Sequence, residues 1–412
     1  MDKKEHYILA GWLIDGSGGP IQKKALLKIV DGLIADITEY NQSDCQPASQ
    51  TTDYSRCCIV PPLIDSHAHL CMSGTLDQKG RQAQLRAEYE VLKGVIAEHL
   101  SHQLSHGVLA VRDGGDRLGS VLRYFRELNE PDGLPVIVKS PGKAWYRSGR
   151  YGGLIGRAVE ESESLAPLIA EDVSAVDHIK VVNSGLNSLS QFAHQTAPQF
   201  SQRELTDTVA YAEKHGKRVM VHANGVLPVR MAIEAGCHSI DHGYFMGEDN
   251  LEALAEKQIV WVPTIYTMKG CLEGVELGMK GADPGVISRN LDHQLQQLAY
   301  ARSCGVRVAA GSDAGSIGVL HGESLLRELR LFMQAGYTLS EAISCATRQG
   351  AELVGIEDQF GLLDKGRPAN FLVARGTPGQ LPRKLSFLEA IYLNGKPSEH
   401  YRRLLRKARV HR

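Results

Sequence analysis

DHIKVVNSG, residues 177–185, is a short run of β-branched residues with a lysine inside it and polar and turn residues at its end. It reads as a strand of the kind buried on both faces. Lys180 is then an anomaly, because removing an unpaired ammonium from water is costly. The same rhythm recurs on both sides. Upstream stand LIDSHAHL (63–70), GVLAVRDGG (107–115) and LPVIVKSPG (134–142). Downstream stand KRVMVHANG (217–225), HSIDHGYF (238–245), IVWVPTIY (259–266) and VRVAAGSDAG (306–315). These make eight strand candidates, most of them separated by segments of helical length, with helical patterns at 82–106, 202–215, 227–235, 286–304 and 323–335. Such alternation predicts an α/β fold, a (β/α)8 TIM barrel. A doubly wound open sheet is the alternative, but no GxGxxG follows any of these strands.

The two ends have another style. HYILAGWLIDGSGG (6–19), ALLKIVDGLIADI (25–37) and CCIVPP (57–62) alternate short apolar runs with turns. GLLDKGRPANFLVARG (361–376) and AIYLNGKP (390–397) repeat that style, with Asn394-Gly395 as a hairpin turn. Residues 1–60 and 361–400 are therefore expected to form one small β-sandwich domain around a barrel at 61–360. The basic end YRRLLRKARVHR, 401–412, reads as a solvated helical tail.

A chain of 412 residues suits one large and one smaller domain. Its net charge of −1 gives no reason to expect a nucleic-acid partner. No apolar run approaches the roughly 20 residues of a membrane span, and the N-terminus has no signal-peptide pattern. Eight scattered cysteines without a CxxC suggest reduced thiols and a cytoplasmic protein. A homo-oligomer acting on a small-molecule substrate is expected.

His67 and His69 stand two apart at the end of a strand, so both face the same way. Among 16 histidines such a pair is weak by itself. Lys180, His222, His242 and Asp313 each lie at or near the C-terminal end of a different strand, the active face of such barrels. Each has a bland alternative: a satisfied core histidine, a helix N-cap for Asp313, a snorkelling edge residue for Lys180. The six in the order HxH, Lys, His, His, Asp point to a shared site instead.

In these residues the chain resembles the metal-dependent amidohydrolase superfamily over nearly its whole length. PPLIDSHAHL (61–70) is similar to its first-strand signature, GVLAVRDGG to its second strand, and GLLDKGRPANFLVA (361–374) to its return into the small domain. The resemblance implies a centre of two divalent metal ions, most simply zinc. His67, His69 and Asp313 would hold the more buried ion, and His222 and His242 the more exposed one. Lys180, carboxylated by CO2 to a carbamate, would bridge them, and a hydroxide shared by the ions would be the nucleophile. Asp313 would carry its proton to the leaving amine. The residue chemistry agrees: imidazoles and carboxylates suit a borderline divalent ion. Burial favours the neutral amine that can add CO2.

IKVVNSG followed by HANG, and DHGYF followed by VPTIYT, look most like the prolidase-like, imidazolonepropionase-like branch. The resemblance implies hydrolysis of an amide-type C–N bond in a dipeptide such as Xaa-Pro or in an N-acyl amino acid. Aryl ureas, carbamates and cyclic amides are alternative substrates, and hydrolytic deamination is an alternative reaction. Against deamination, His222 is followed by no acidic residue until Glu234. Pro62 and Asn370 depart from the family's usual glycine and aspartate. SPGKAWYRSGRYGG, 140–153, departs more, and is expected to be a flexible loop at the barrel mouth. Its Tyr146, Arg147 and Arg150 are expected to clamp a substrate carboxylate and stack on a ring. Asn183, Ser184, Asn224, Tyr244, Tyr266 and His321 also follow strand ends and are candidates for lining the pocket.

Overall fold

The structure, a computed structural model, describes residues 5–41, 50–128 and 135–410, with side chains as far as 406. Residues 411–412 of the expected tail lie outside the described residues.

Seven parallel barrel strands follow one another: Leu63–Ala68, Val108–Asp113, Ile137–Lys139, Ile179–Val182, Val219–Ala223, Ser239–His242 and Val260–Val262. The first two are buried at every position, as strands between an interior and a coat of helices must be. Segment 306–315 forms isolated bridges instead of an eighth regular strand, yet it completes the ring. On one side the Trp261 amide donates to the Arg307 carbonyl at 2.9 Å, and the Ala309 amide to the Trp261 carbonyl at 3.0 Å. On the other, the Ser66 amide donates to the Ala310 carbonyl at 2.9 Å and the Asp313 amide to the His67 carbonyl at 2.7 Å. Between the third and fourth strands the Asp177 amide donates to the Ser140 carbonyl at 3.0 Å. Helices alternate with the strands, among them Tyr89–Ser105, Gln202–Lys214, Val226–Glu234, Pro284–Cys304 and Glu323–Gln334. The fold is the closed (β/α)8 barrel expected.

The segment 140–153 differs from the expected loop. The third strand breaks at Pro141-Gly142, where Gly142 has φ +66°. The chain then re-enters the sheet as Ala144–Arg147, paired to the fourth strand through Trp145 and Val181, and to Gly156–Val159 on its other side. Four residues of the supposed mobile loop are therefore sheet.

Both ends of the chain meet in one seven-stranded sheet. Its order is Lys396–Pro397, Leu388–Leu393, Phe371–Arg375, Thr51–Val60, Glu5–Leu13, Gln22–Val30, Leu33–Glu39. The sheet folds over, because the Ile34 amide donates to the Arg367 carbonyl and the Ala369 amide to the Gly32 carbonyl. Ile8, Leu27, Ile29, Phe371 and Tyr392 thereby share a core separate from that of the barrel. The C-terminal helix Glu399–Val410 is anchored at Tyr401, a buried residue whose hydroxyl donates to the Leu388 carbonyl at 2.8 Å.

Candidate active site

His67 and His69 end the first strand with their rings side by side. His67 Nδ1 lies 3.0 Å from Asp241 Oδ2, and His69 Nδ1 lies 3.1 Å from the Gly115 carbonyl. A carboxylate and a carbonyl only accept, so each ring carries a proton on Nδ1, and in the neutral form Nε2 is a lone pair. Those Nε2 atoms are 3.4 Å apart, and 3.3 and 3.4 Å from Asp313 Oδ1. Three acceptors thus face one another with their ligand atoms within 4.8 Å, an arrangement that calls for a cation between them. Burial and the Lys180 charge push the His67 pKa down, yet Asp241 and Asp313 outweigh them and leave it above the ordinary imidazole value, so a proton competes with a metal ion for His67 Nε2. Burial raises the Asp313 carboxyl, but His67 and the other two imidazoles hold it far below the usual carboxylate range. A divalent ion fits this donor set.

Across the floor stand His222 and His242. His222 Nε2 is 3.1 Å from the Gly185 carbonyl, and His242 Nδ1 is 2.7 Å from the Thr264 hydroxyl. Their ring centres are 4.5 Å apart, and that of His242 is 4.9 Å from that of His67. Burial, with Lys180 next in weight, lowers His222 to about 3; burial lowers His69 to about 4 against the pull of Asp313. Both are neutral imidazoles at pH 7, the form that binds metal.

Lys180 is 1% exposed, and its Nζ donates to Asp241 Oδ2 at 2.6 Å. Burial lowers its pKa while Asp241 opposes the shift, and the net direction is downward. The other oxygen of Asp241 accepts from Arg112 Nη2 at 2.9 Å, and Arg112 also reaches the Ser66 carbonyl and the Ser239 hydroxyl. Asp241 and Arg112 form a charged floor that sequence reasoning missed. Strand alternation lets only one of two consecutive residues face inward, and His242 had taken that place. His242 has φ +70°, which breaks the alternation and turns both residues to the site. Asp313 is likewise left-handed at φ +57°. Each such residue costs on the order of 1–2 kcal/mol.

A cavity of about 310 Å³ opens above these groups, lined by all six metal-type residues and by Asn224 and Tyr244 among the other candidates. Asn224 Oδ1 accepts from the Tyr244 amide at 3.0 Å, which fixes the two together. The remaining candidates do not reach the cavity. Arg147 is buried, with Nη2 2.5 Å from Glu204 Oε1 and Nη1 on the Glu160 and Glu163 carbonyls. Glu204 itself closes the capping box of its helix with Ser201, so the pair is structural. Arg150 donates to the Ala197 carbonyl at 2.9 Å on the surface. Tyr146 packs against Gly152 in an apolar cluster with Ile155 and Val182. The expected carboxylate clamp is therefore not built from these residues; from this segment it is Tyr151 that faces the site, 5.3 Å from His222 by ring centres. Asn183 is engaged with the Gln199 and Phe200 amides and the Pro228 carbonyl. The Ser184 hydroxyl accepts from the Asn224 amide and donates to the Gly185 carbonyl. Tyr266 turns its hydroxyl to Glu273, and His321 stacks on His99 with Nε2 3.2 Å from the His69 carbonyl. These side chains brace the site from outside.

The sequence profile of the Amidohydrolase family matches residues 58–399. An ochratoxinase of Aspergillus niger is 25% identical, the match covering 92% of this chain and 82% of the relative. An imidazolonepropionase of Porphyromonas gingivalis is 23% identical over 86% of this chain and 84% of the relative. The crystal structure of a Xaa-Pro dipeptidase with bound methionine in the active site superposes with a TM-score of 0.79 at 25% identity. That superposition covers 96% of this chain and 100% of the dipeptidase.

Proposed function

Because the chain belongs to the amidohydrolase family, and is thus a metal-dependent hydrolase of carbon–nitrogen bonds, we propose that it cleaves an amide bond in a dipeptide such as Xaa-Pro or an N-acyl amino acid. The observation that carries this reading is the convergence of His67 Nε2, His69 Nε2 and Asp313 Oδ1 on the floor of a cavity. The similarity to a Xaa-Pro dipeptidase and an ochratoxinase supports it.

His67, His69 and Asp313 would hold one divalent ion, and His222 and His242 a second, with zinc the natural choice for this donor set. When bound, the ions polarise the scissile carbonyl and acidify the attacking water. The neutral Lys180 amine would add CO2 as R–NH2 + CO2 → R–NH–COO⁻ + H⁺, which would supply a carboxylate-like anionic ligand at this buried position. Asp313 takes the proton of the attacking water and returns it to the leaving nitrogen; its Oδ2 is oriented by the Ser316 hydroxyl at 2.9 Å. Asp241 keeps His67 in the Nδ1–H tautomer throughout. Asn224 and Tyr244 wall the site. Among the described residues no helix is long and apolar enough to cross a membrane. A cytoplasmic setting would keep the seven described cysteines, all unpaired, as thiols.

The test is a hydrolysis screen of the metal-loaded protein against dipeptides, N-acyl amino acids and aryl ureas, with and without a chelator. Chelator-sensitive release of an amino acid is the expected result. Ammonia release from an aminated heterocycle, with no amide cleavage, would replace this reading with deamination.

A further inference from the structure

Much of the cavity lining is apolar: Leu85, Leu154, Leu186, Leu189, Met268 and Ile317 contribute to it. Leu154 and Leu186 are 48% and 57% exposed, so the apolar lining continues to the rim. The lining also includes one cation that the reaction scheme leaves unused, Arg81, on the helix Gln78–Arg86. Its Nη1 donates to the Ser73 carbonyl and, at 2.6 Å, to the Gly315 carbonyl. Gly315 stands two residues after Asp313, so the guanidinium is tied to the turn that carries the metal-type carboxylate. Among the described residues no carboxylate pairs with Arg81; burial lowers its pKa, and Asp313 is the acid that most opposes the shift. A partly desolvated guanidinium without a counter-ion, with Nε and Nη2 still to be satisfied, is suited to a planar anion. Arg147, by contrast, already has its counter-ion in Glu204.

We propose that Arg81 is the carboxylate anchor of the substrate site. The substrate's own carboxylate supplies the missing counter-ion, and the apolar lining receives a bulky apolar group beside the scissile amide. The substrate is then an N-acyl amino acid or dipeptide with a free carboxylate and a large apolar moiety, and neutral ureas and carbamates are poor substrates. This rests on the amide-hydrolase reading above.

The experiment compares N-(4-nitrobenzoyl)-L-leucine with its decarboxylated analogue, 4-nitro-N-(3-methylbutyl)benzamide, on the metal-loaded wild type, Arg81→Met and Arg81→Lys. The wild type should prefer the acid by roughly 10- to 100-fold in kcat/KM, the worth of a charge-assisted hydrogen bond, mostly through KM. In Arg81→Met that preference should fall to near one, and Arg81→Lys should keep part of it. Equal rates on both compounds in the wild type, or an unchanged preference in Arg81→Met, would overturn the anchor. The wild-type and Arg81→Lys comparisons stand even where Arg81→Met fails to fold. If neither compound is cleaved, the reaction reading fails for this class. Calorimetric binding of the acid then decides the anchor: tenfold or weaker binding in Arg81→Met supports it, and equal binding overturns it.

Discussion

The two sides of the cavity floor are held in different ways. On the side of the first and eighth strands, His67 is backed by a carboxylate, His69 by a carbonyl, and Asp313 by the Ser316 hydroxyl. Their ligand atoms already converge within 4.8 Å, a group that could hold a metal ion. On the side of the fifth and sixth strands, His222 and His242 are backed by a carbonyl and a hydroxyl, and among the described residues no carboxylate is hydrogen-bonded to either ring. Lys180 lies between the two sides, and Asp241 Oδ2 accepts from both Lys180 and His67. On the proposed reading the first side is preformed, whereas the second would be completed by Lys180 as a carbamate anion.

Asp313→Asn attacks the preformed side and should have the largest effect. The change removes the carboxylate charge and the proton carrier, so turnover should fall by about 10³-fold or more, with loss of metal. Steady-state rates and elemental analysis of the purified variant check this. Asp241→Asn attacks the element shared by both sides. It should weaken metal binding by about 10- to 100-fold, the usual cost of losing a partner behind a ligating histidine. Competition with a fluorescent chelator measures it, and an unchanged affinity would break the proposed link between the sides.

A smaller effect concerns pH in the metal-free protein. His69 and His222 titrate near 4 and 3 when folded, against 6.5 ordinarily. Below pH 6.5 the unfolded chain takes up protons that the folded chain refuses. The stability from these residues is therefore full above pH 6.5 and is lost as pH falls towards their folded values. Urea midpoints at pH 7.5, 6.0 and 5.0 should decrease in that order, and His222→Asn should flatten the slope. Thr264→Val, which removes only the hydroxyl behind His242, should be the mildest change, at about 1 kcal/mol or severalfold in affinity for the second ion.

The barrel was legible because short, doubly buried strands announce themselves by unbroken apolar runs, and the six metal-type residues because they cluster at strand ends. What stayed hidden depends on contacts remote in sequence. Arg147 looked free for a substrate, but its partner Glu204 is 57 residues away. Asp241 was masked by its neighbour His242, since only a positive φ lets both turn inward. Ala144–Arg147 read as loop because its glycine-rich surroundings outweigh a pairing made with the fourth strand. Arg81 sits on a helix that buries none of its residues, so no periodicity marks it.

The comparison of the two sides comes down to Lys180. Metal stoichiometry of the wild type and Lys180→Ala, both loaded with zinc in bicarbonate buffer and desalted, tests it most directly. The account predicts two ions per chain in the wild type and no more than one in Lys180→Ala, with the ion on the His67–His69–Asp313 side the one retained. Two ions in both proteins, or a single ion in the wild type, would contradict it.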